Sequence, residues 1–372
     1  MALGGTQGGA RRTPLWAIAV AALLGIVGVT RSEGIRRTPV QRAANGRTPG
    51  WSSTSEPESD RGRRASTPAE IPAKGWKDIV LRIYQGISED RILALAGGVT
   101  FYGLLALFPG IAGLIALYGL YADAGTISQH LDTVAGVLPE GGLQIIREQI
   151  DRLAAQPPQR LGIATIIGLG VSLWSANSGM KAMIDALNVV YHDKEKRSFI
   201  RLNAISLAFT FGAMALILVA LAAMTILPVA LNYLGLSRVM ELLIRIGRWP
   251  VLLLVVSFAI ALIYRYGPSR DRPKWRWITP GSAFAALAWL CLSLLFSWYT
   301  ENLGSYNETY GSLGAVIGFM TWLWLSNIVI LVGAKLNAET EHQTARDSTV
   351  GRPEPPGRRG AEMADTVGPS QD

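Results

Sequence analysis

Trp174, Ser178, Lys181, Asp185 and Asn188 recur at spacings of four, three, four and three, which sets all five on one face of one helix. Ser175 and Asn177 add polar groups beside them, and Lys181 and Asp185 form an i, i+4 pair. An ammonium one turn from a carboxylate, flanked by hydroxyl and amide groups, can hold an anionic group and tune the charge beside it. Polar side chains in a bilayer cost free energy unless they meet a partner or water. The stripe is therefore either the wall of a cavity opening inward or the wet side of a helix that has left the membrane. A second polar group, Tyr306, Asn307 and Tyr310, stands with Tyr299, Glu301, Asn302 and Glu308. These residue types suit either anchoring at the membrane interface or recognition of a headgroup or sugar. Pro109 and Gly110 interrupt an apolar run; they either kink the helix or free carbonyls that need water, which marks a cavity.

Other chemistries have no residues to carry them. Cys291 is the only cysteine, so no disulfide within the chain and no cysteine metal site is expected. His130, His192 and His342 lie in three separate polar segments, each without a partner at helical spacing, which is a poor zinc site. Metal-dependent phosphodiester cleavage needs clustered His, Asp or Cys ligands, and ATP coupling needs a glycine-rich phosphate loop. Neither pattern occurs. No catalytic residue, metal or cofactor is expected, and no enzyme.

The elements that must position the polar residues are membrane spans. The chain is 372 residues long, 49% hydrophobic and only 17% charged, against about 25% charged in ordinary globular domains. About 20 apolar residues in a helix cross a bilayer core of about 30 Å. Six runs qualify: Ile92 to about Tyr121, Leu161 to about Met180, Leu202 to about Leu234, Trp249 to Tyr264, Trp277 to about Thr300, and about Ser312 to Leu336. The expected fold is an all-α polytopic membrane bundle. Gly311, Gly314 and Gly318 share one side of the sixth run, and Ala94 with Gly98 repeats the small-xxx-small spacing in the first. Such residues allow close helix approach, either within the bundle or in a homo-oligomer.

Orientation follows from the loops. Lys194, Lys196, Arg197 and Arg201 cluster between spans two and three, and Arg265, Arg270, Arg272, Lys274 and Arg276 between spans four and five. The alternate loops are poorer in Lys and Arg, apart from Arg238, Arg245 and Arg248 before span four. The positive-inside rule places both ends of the core in the cytoplasm, with the protein in a bacterial-type inner membrane. The long external loop repeats Ile127, Leu131, Val134 and Leu138, then Leu143, Ile146, Ile150 and Leu153, which predicts two short amphipathic helices. Trp76 to Tyr84 predicts another, with Lys77 and Arg82 on one side and Ile79, Val80 and Ile83 on the other.

Residues 1–74 form an extension. Its uncharged run 13–30 is a signal peptide or an extra span, and its basic Pro/Ser/Gly-rich remainder is expected to be a disordered linker. Residues 75–341 form the membrane domain, and residues 342–372 are expected to be a disordered tail. A net charge of +8 can point to nucleic acid or an anionic lipid surface, but the basic residues sit beside apolar spans, where orientation in the membrane needs them. Membrane lipids, including an anionic or lipid-linked species, are the expected partners.

With these residues in place the chain resembles the YihY/virulence factor BrkB family, formerly labelled ribonuclease BN. The resemblance runs from about Trp76 to Glu341. The run AGGVTFYGLLALFPG within Ala94–Gly110 resembles the family's first span, and Ser175–Tyr191 its Ser-rich segment followed by Leu-Asn-x-x-Tyr. Trp277–Gly281 is similar to the Trp and Pro-Gly start of span five. Tyr306–Ala315, the Trp322-Leu-Trp324 triplet and Leu331–Glu339 resemble the closing signature. The resemblance implies a six-span inner-membrane protein. The residues then point to transport or to lipid and envelope handling through an intramembrane polar cavity, with a scaffold role and, remotely, a nuclease as alternatives.

Overall fold

A computed structural model describes residues 60–118, 143–144, 146–148, 151, 163–233, 238–302 and 313–371, all within one compact unit spanning Ser55–Asp372. Seven long helices carry the fold: α1 (Ala73–Glu89), α2 (Ile92–Tyr118), α3 (Ile163–Val190), α4 (Phe199–Tyr233), α5 (Arg238–Tyr266), α6 (Trp275–Asn302) and α7 (Gly314–His342). A single turn, α8 (Glu362–Asp365), lies near the chain's end. Among the described residues β-pairing is limited to one isolated bridge between Pro273 and Thr349. The protein is an all-α polytopic membrane bundle, and the six expected spans fall one each on α2 to α7.

Composition explains the helices. Ile92–Gly113, Phe199–Ala220, Trp275–Thr300 and Val316–His342 are each long and apolar enough to cross a bilayer, and Pro250–Tyr266 is a shorter apolar helix. Helices that are apolar on every side leave large side chains facing outward, as lipid allows. Phe101, Tyr102, Leu105 and Phe108 of α2 and Val251, Leu254 and Phe258 of α5 are exposed in this way. The charged stretch Arg238–Arg248, read from sequence as a loop, is the first part of α5. Pro109 does not break its helix: α2 runs through it to Tyr118.

The helices pack in the order α5, α6, α7, α2, α3, α4. Two close approaches set the spacing. Gly179 of α3 faces Gly103 and Ala106 of α2, and Gly281 of α6 faces Gly333 and Asn337 of α7. The Gly281 N–H donates to Asn337 Oδ1 at 2.8 Å. The anticipated packing glycines serve differently: Gly98 is exposed with open space around it, and Gly318, though buried, also has room for a side chain. Gly314 is buried, and Gly311 lies outside the described residues. Among the described residues α4 and α5, adjacent in sequence, make at most marginal contact.

One end of the bundle, the terminal face, is built from both ends of the described chain. Arg91 (φ 53°) turns α1 into α2, and His192 (φ 58°) ends α3, with the Asp193 N–H reaching back to the Asn188 carbonyl at 2.9 Å. Ile79 of α1 packs with Ala65, Ile71 and Trp277. Arg82, expected on the wet side of α1, is buried, whereas Val80 is exposed. The segments read as a disordered linker and tail differ from expectation too: residues 60–72 and 343–371 are folded onto α1 and α7. The reason is specific pairing that composition does not reveal. Arg61 holds buried Asp78 at 2.8 Å. Arg359 donates to the carbonyls of Ala364, Ala345 and Glu354 at 2.6, 2.8 and 3.0 Å. Met363 enters the main core, and the Gln371 N–H donates to Asp78 at 3.0 Å.

Candidate functional site

The polar stripe of α3 does not form a single wall. Trp174 and Asp185 are exposed, and Ser175, Ser178 and Lys181 are half-buried. The Ser178 hydroxyl donates to the Ser175 carbonyl of its own helix at 2.7 Å. The Lys181 ammonium lies over the Trp174 ring, 4.7 Å from its centroid, rather than on Asp185. Asn188 is buried and tied into loops: it donates to Glu195 at 3.0 Å and accepts from the Ser269 N–H at 2.7 Å. Asn177 is fully buried, accepts from Thr210 of α4 at 3.3 Å, and leaves its amide nitrogen without a partner. Pro109 is half-buried near this level of α2. Tyr306, Asn307 and Tyr310 lie outside the described residues, as does nearly all of the external loop.

Inside the bundle several polar groups tie helix to helix. Asn327 of α7 donates to Thr100 of α2 at 3.0 Å, Trp289 and Trp322 pair with Ser326 and Ser293 across α6 and α7 at 3.2 and 3.1 Å, and Tyr264 donates to the Ile330 carbonyl at 2.5 Å. Polar contacts of this kind hold membrane helices together where apolar burial gives no driving force.

The terminal face carries the dense charge. Lys335, 2% exposed, lies 2.7 Å from Asp90 and 3.1 Å from Glu339, and Glu339 also meets Arg82 at 2.6 Å. His192 closes the other side of Asp90 at 2.9 Å. Burial alone would push the Asp90 carboxyl up, but His192 and Lys335 outweigh it and hold it below the ordinary carboxylate range. Arg270 pairs with Glu341 at 2.6 Å and stacks on Tyr191, 4.1 Å from the ring centroid.

Glu195 grips Arg197 through two contacts of 2.6 and 2.7 Å, and Arg197 in turn donates to the Gly267 carbonyl at 2.8 Å, joining the α3–α4 and α5–α6 loops. The Arg197 guanidinium holds the Glu195 carboxyl down at about 2, against an ordinary 4.5. A lowered folded-state value stabilises the protein above the ordinary value and is lost as pH falls through the lowered one. The melting-temperature gap between wild type and Glu195→Gln in detergent should therefore be full near neutral pH and close between pH 4.5 and about 2. A gap that persists unchanged to the acid end would mean the pair is not the cause.

Beside this clasp opens a cavity of about 530 Å³. It lies where the N-terminal end of α4, the C-terminal end of α5, the α5–α6 loop and Gly360 meet. Lys196, Arg197, Arg201, Arg265, Arg270 and Arg272 line it, against one acid, Asp271. Three of these cations are compensated: Arg197 by Glu195, Arg270 by Glu341, and Lys196 by Asp193 at 3.4 Å. Arg265 is different. It is buried with its guanidinium 4.3 Å from the Trp275 ring centroid; its Nε and Nη1 have no hydrogen-bond partner, as is also true of Arg270, but unlike Arg270 it meets no carboxylate among the described residues. Arg272 leans on Tyr266 at 5.3 Å, and Arg201 is exposed at the α4 side. None of the residues singled out in the α3 stripe lines this cavity. Sequence reading used its arginines only to orient the chain. The signal it passed over is the interleaving of Arg265, Arg270 and Arg272 with Tyr266, Trp275 and Trp277. Among the described residues no three of His, Cys, Asp or Glu gather as metal ligands.

The model of the family described as virulence factor BrkB matches residues 83–357. A putative ribonuclease-like protein, YfkH, of Bacillus subtilis (strain 168) is 31% identical over 265 residues, 69% of this chain and 90% of its own length. A UPF0761 membrane protein of Methylibium petroleiphilum is 24% identical over 272 residues, 71% of this chain and 62% of its own length. Another, from Idiomarina loihiensis, is 25% identical over 264 residues, 69% of this chain and 88% of its own. No solved structure matches the chain.

Proposed function

The chain belongs to the virulence factor BrkB family, and from that premise we propose that this integral membrane protein handles or transports an anionic, membrane-borne species. The observation that carries the reading is the basic cavity at the terminal face, set between the N-terminal end of α4 and the C-terminal end of α5. The cavity offers cations to a charged group at the membrane surface. Half-buried Lys181 and the unpartnered amide of Asn177 add polar groups on the neighbouring α3. The excess of Lys and Arg in the loops at this end supports a cytoplasmic terminal face in an inner membrane. The reading involves no catalytic step. A scaffold role is favoured by a different observation, the use of several buried polar side chains as helix-to-helix ties.

Purified protein in liposomes containing a trace of headgroup-labelled phosphatidylglycerol decides between them. Handling predicts protein-dependent movement of the label between leaflets, read by quenching from outside. Rates equal to empty liposomes, for that lipid and for labelled phosphatidylcholine, would leave the scaffold reading standing. The same preparation incubated with RNA should leave it intact; cleavage would return the nuclease.

A further inference from the structure

We infer that the arginine-lined cavity between the ends of α4 and α5 is a phosphate-binding site, with Arg265 as its anchor and Arg201 and Arg272 as the opposing cations. The inference deepens the lipid-handling reading, and rests on it only for where the phosphate comes from.

The loop positions need positive charge for orientation, but orientation does not explain a guanidinium taken out of water. Arg265 is 8% exposed, and two of its donor nitrogens have no partner in the protein. A buried charge without a counter-charge is strongly destabilising, so side chains of this kind are paired or bind something. Trp275 and Tyr266 hold its flat face, at 4.3 and 5.5 Å from their ring centroids. Stacking fixes the plane of the fork and leaves its edge for a ligand. Aromatic support of this kind pre-organises a guanidinium for bidentate contact with a phosphate.

The charge balance selects the ligand class. Glu195, Glu341 and Asp193 already answer three of the lining cations, so the field left over comes from Arg201, Arg265 and Arg272 against Asp271. A residual charge near +2 matches a phosphate group better than a single carboxylate. At about 530 Å³ the space takes a phosphate with a small headgroup. The cavity lies at the helix ends beside the terminal loops, where either a lipid headgroup or free phosphate can meet it.

Binding is measured on the full chain by calorimetry, with inorganic phosphate in detergent and with phosphatidic acid against phosphatidylcholine in nanodiscs. Saturable binding of inorganic phosphate identifies a site open to the soluble ion. Binding of phosphatidic acid alone identifies a headgroup site reached from the bilayer. In either case Arg265→Gln should weaken affinity about thirty-fold, the scale of losing a charge-assisted contact. Arg201→Gln on the exposed rim should weaken it several-fold without touching the fold, and so covers any folding defect of the buried variant. Lys77→Ala, exposed on α1 and outside the cavity, should leave affinity unchanged. No saturable binding of either probe, or equal affinity in the Arg201 and Arg265 variants and wild type, overturns the site. A protein that binds phosphate here but moves no lipid keeps the site and loses the transport reading. One that moves lipid equally with and without Arg265 keeps the transport reading and loses the site.

Discussion

Gly281→Val is expected to abolish recovery of folded protein from the membrane. A side chain at Gly281 would collide with the Gly333 carbonyl and meet Asn337 side-chain atoms at 2.5 Å. The first of these is backbone, which cannot swing aside. From the facing helix, a side chain at Gly333 would lie 2.6 Å from Tyr264 Oη and 2.7 Å from the Gly281 carbonyl. α6 and α7 would have to part, and the Gly281–Asn337 hydrogen bond and the Trp–Ser pairs along the same interface would part with them. Overpacking costs about 1–3 kcal/mol where side chains can shift, and a backbone collision with loss of several buried hydrogen bonds exceeds that. The readout is the monodisperse peak after detergent extraction, with Gly98→Ala as the control in open space. A Gly281→Val peak equal to wild type would mean the two helices are further apart than described.

Lys335→Met should destabilise the protein by about 3–5 kcal/mol, the range for removing one partner of a buried ion pair. The ammonium is almost fully buried between Asp90 and Glu339, and the space it occupies exists because residue 86 is glycine: a side chain there would collide with Lys335 Cε. The pairing with Asp90 is a close ion contact rather than an aligned hydrogen bond, so electrostatics carries it. Methionine fills much of the volume and supplies no charge, which leaves Asp90 with exposed His192 and Glu339 with Arg82. Thermal unfolding in detergent should show the loss, and adding Asp90→Asn should restore part of it. An unchanged melting temperature in the single variant would show that water, not Lys335, compensates the carboxylates.

The membrane spans were legible because each is a local property: an uncharged run of about 20 residues needs no partner to declare itself. The same locality misled at the ends. Arg82 reads as the wet side of α1 until Glu339 and Gln343 arrive from far along the chain, and then its burial follows. Residues 343–371 read as disordered because Pro, Gly and Arg dominate, yet Arg359 uses its donors on backbone carbonyls and Met363 reaches the core. Arg238–Arg248 read as a loop because charges cluster there, although its Met, Leu and Ile residues support a helix. The site divided in the same way. Polar residues on α3 stood out against apolar neighbours, whereas Arg265 was one charge in a basic loop until burial and missing partners set it apart.

The clasp across the terminal face has a consequence for how the protein is made. Asp78 waits for the Gln371 N–H, 293 positions later, and Arg82 waits for Glu339. At synthesis rates of about 5–20 residues per second, that delay is roughly 15–60 s. Throughout it, α1 presents Arg82 without its carboxylate and Asp78 with Arg61 alone while α2 to α7 insert one after another. Assembly therefore ends where it began, and a chain stalled at any intermediate span would still display the open face that a quality-control protease can grasp.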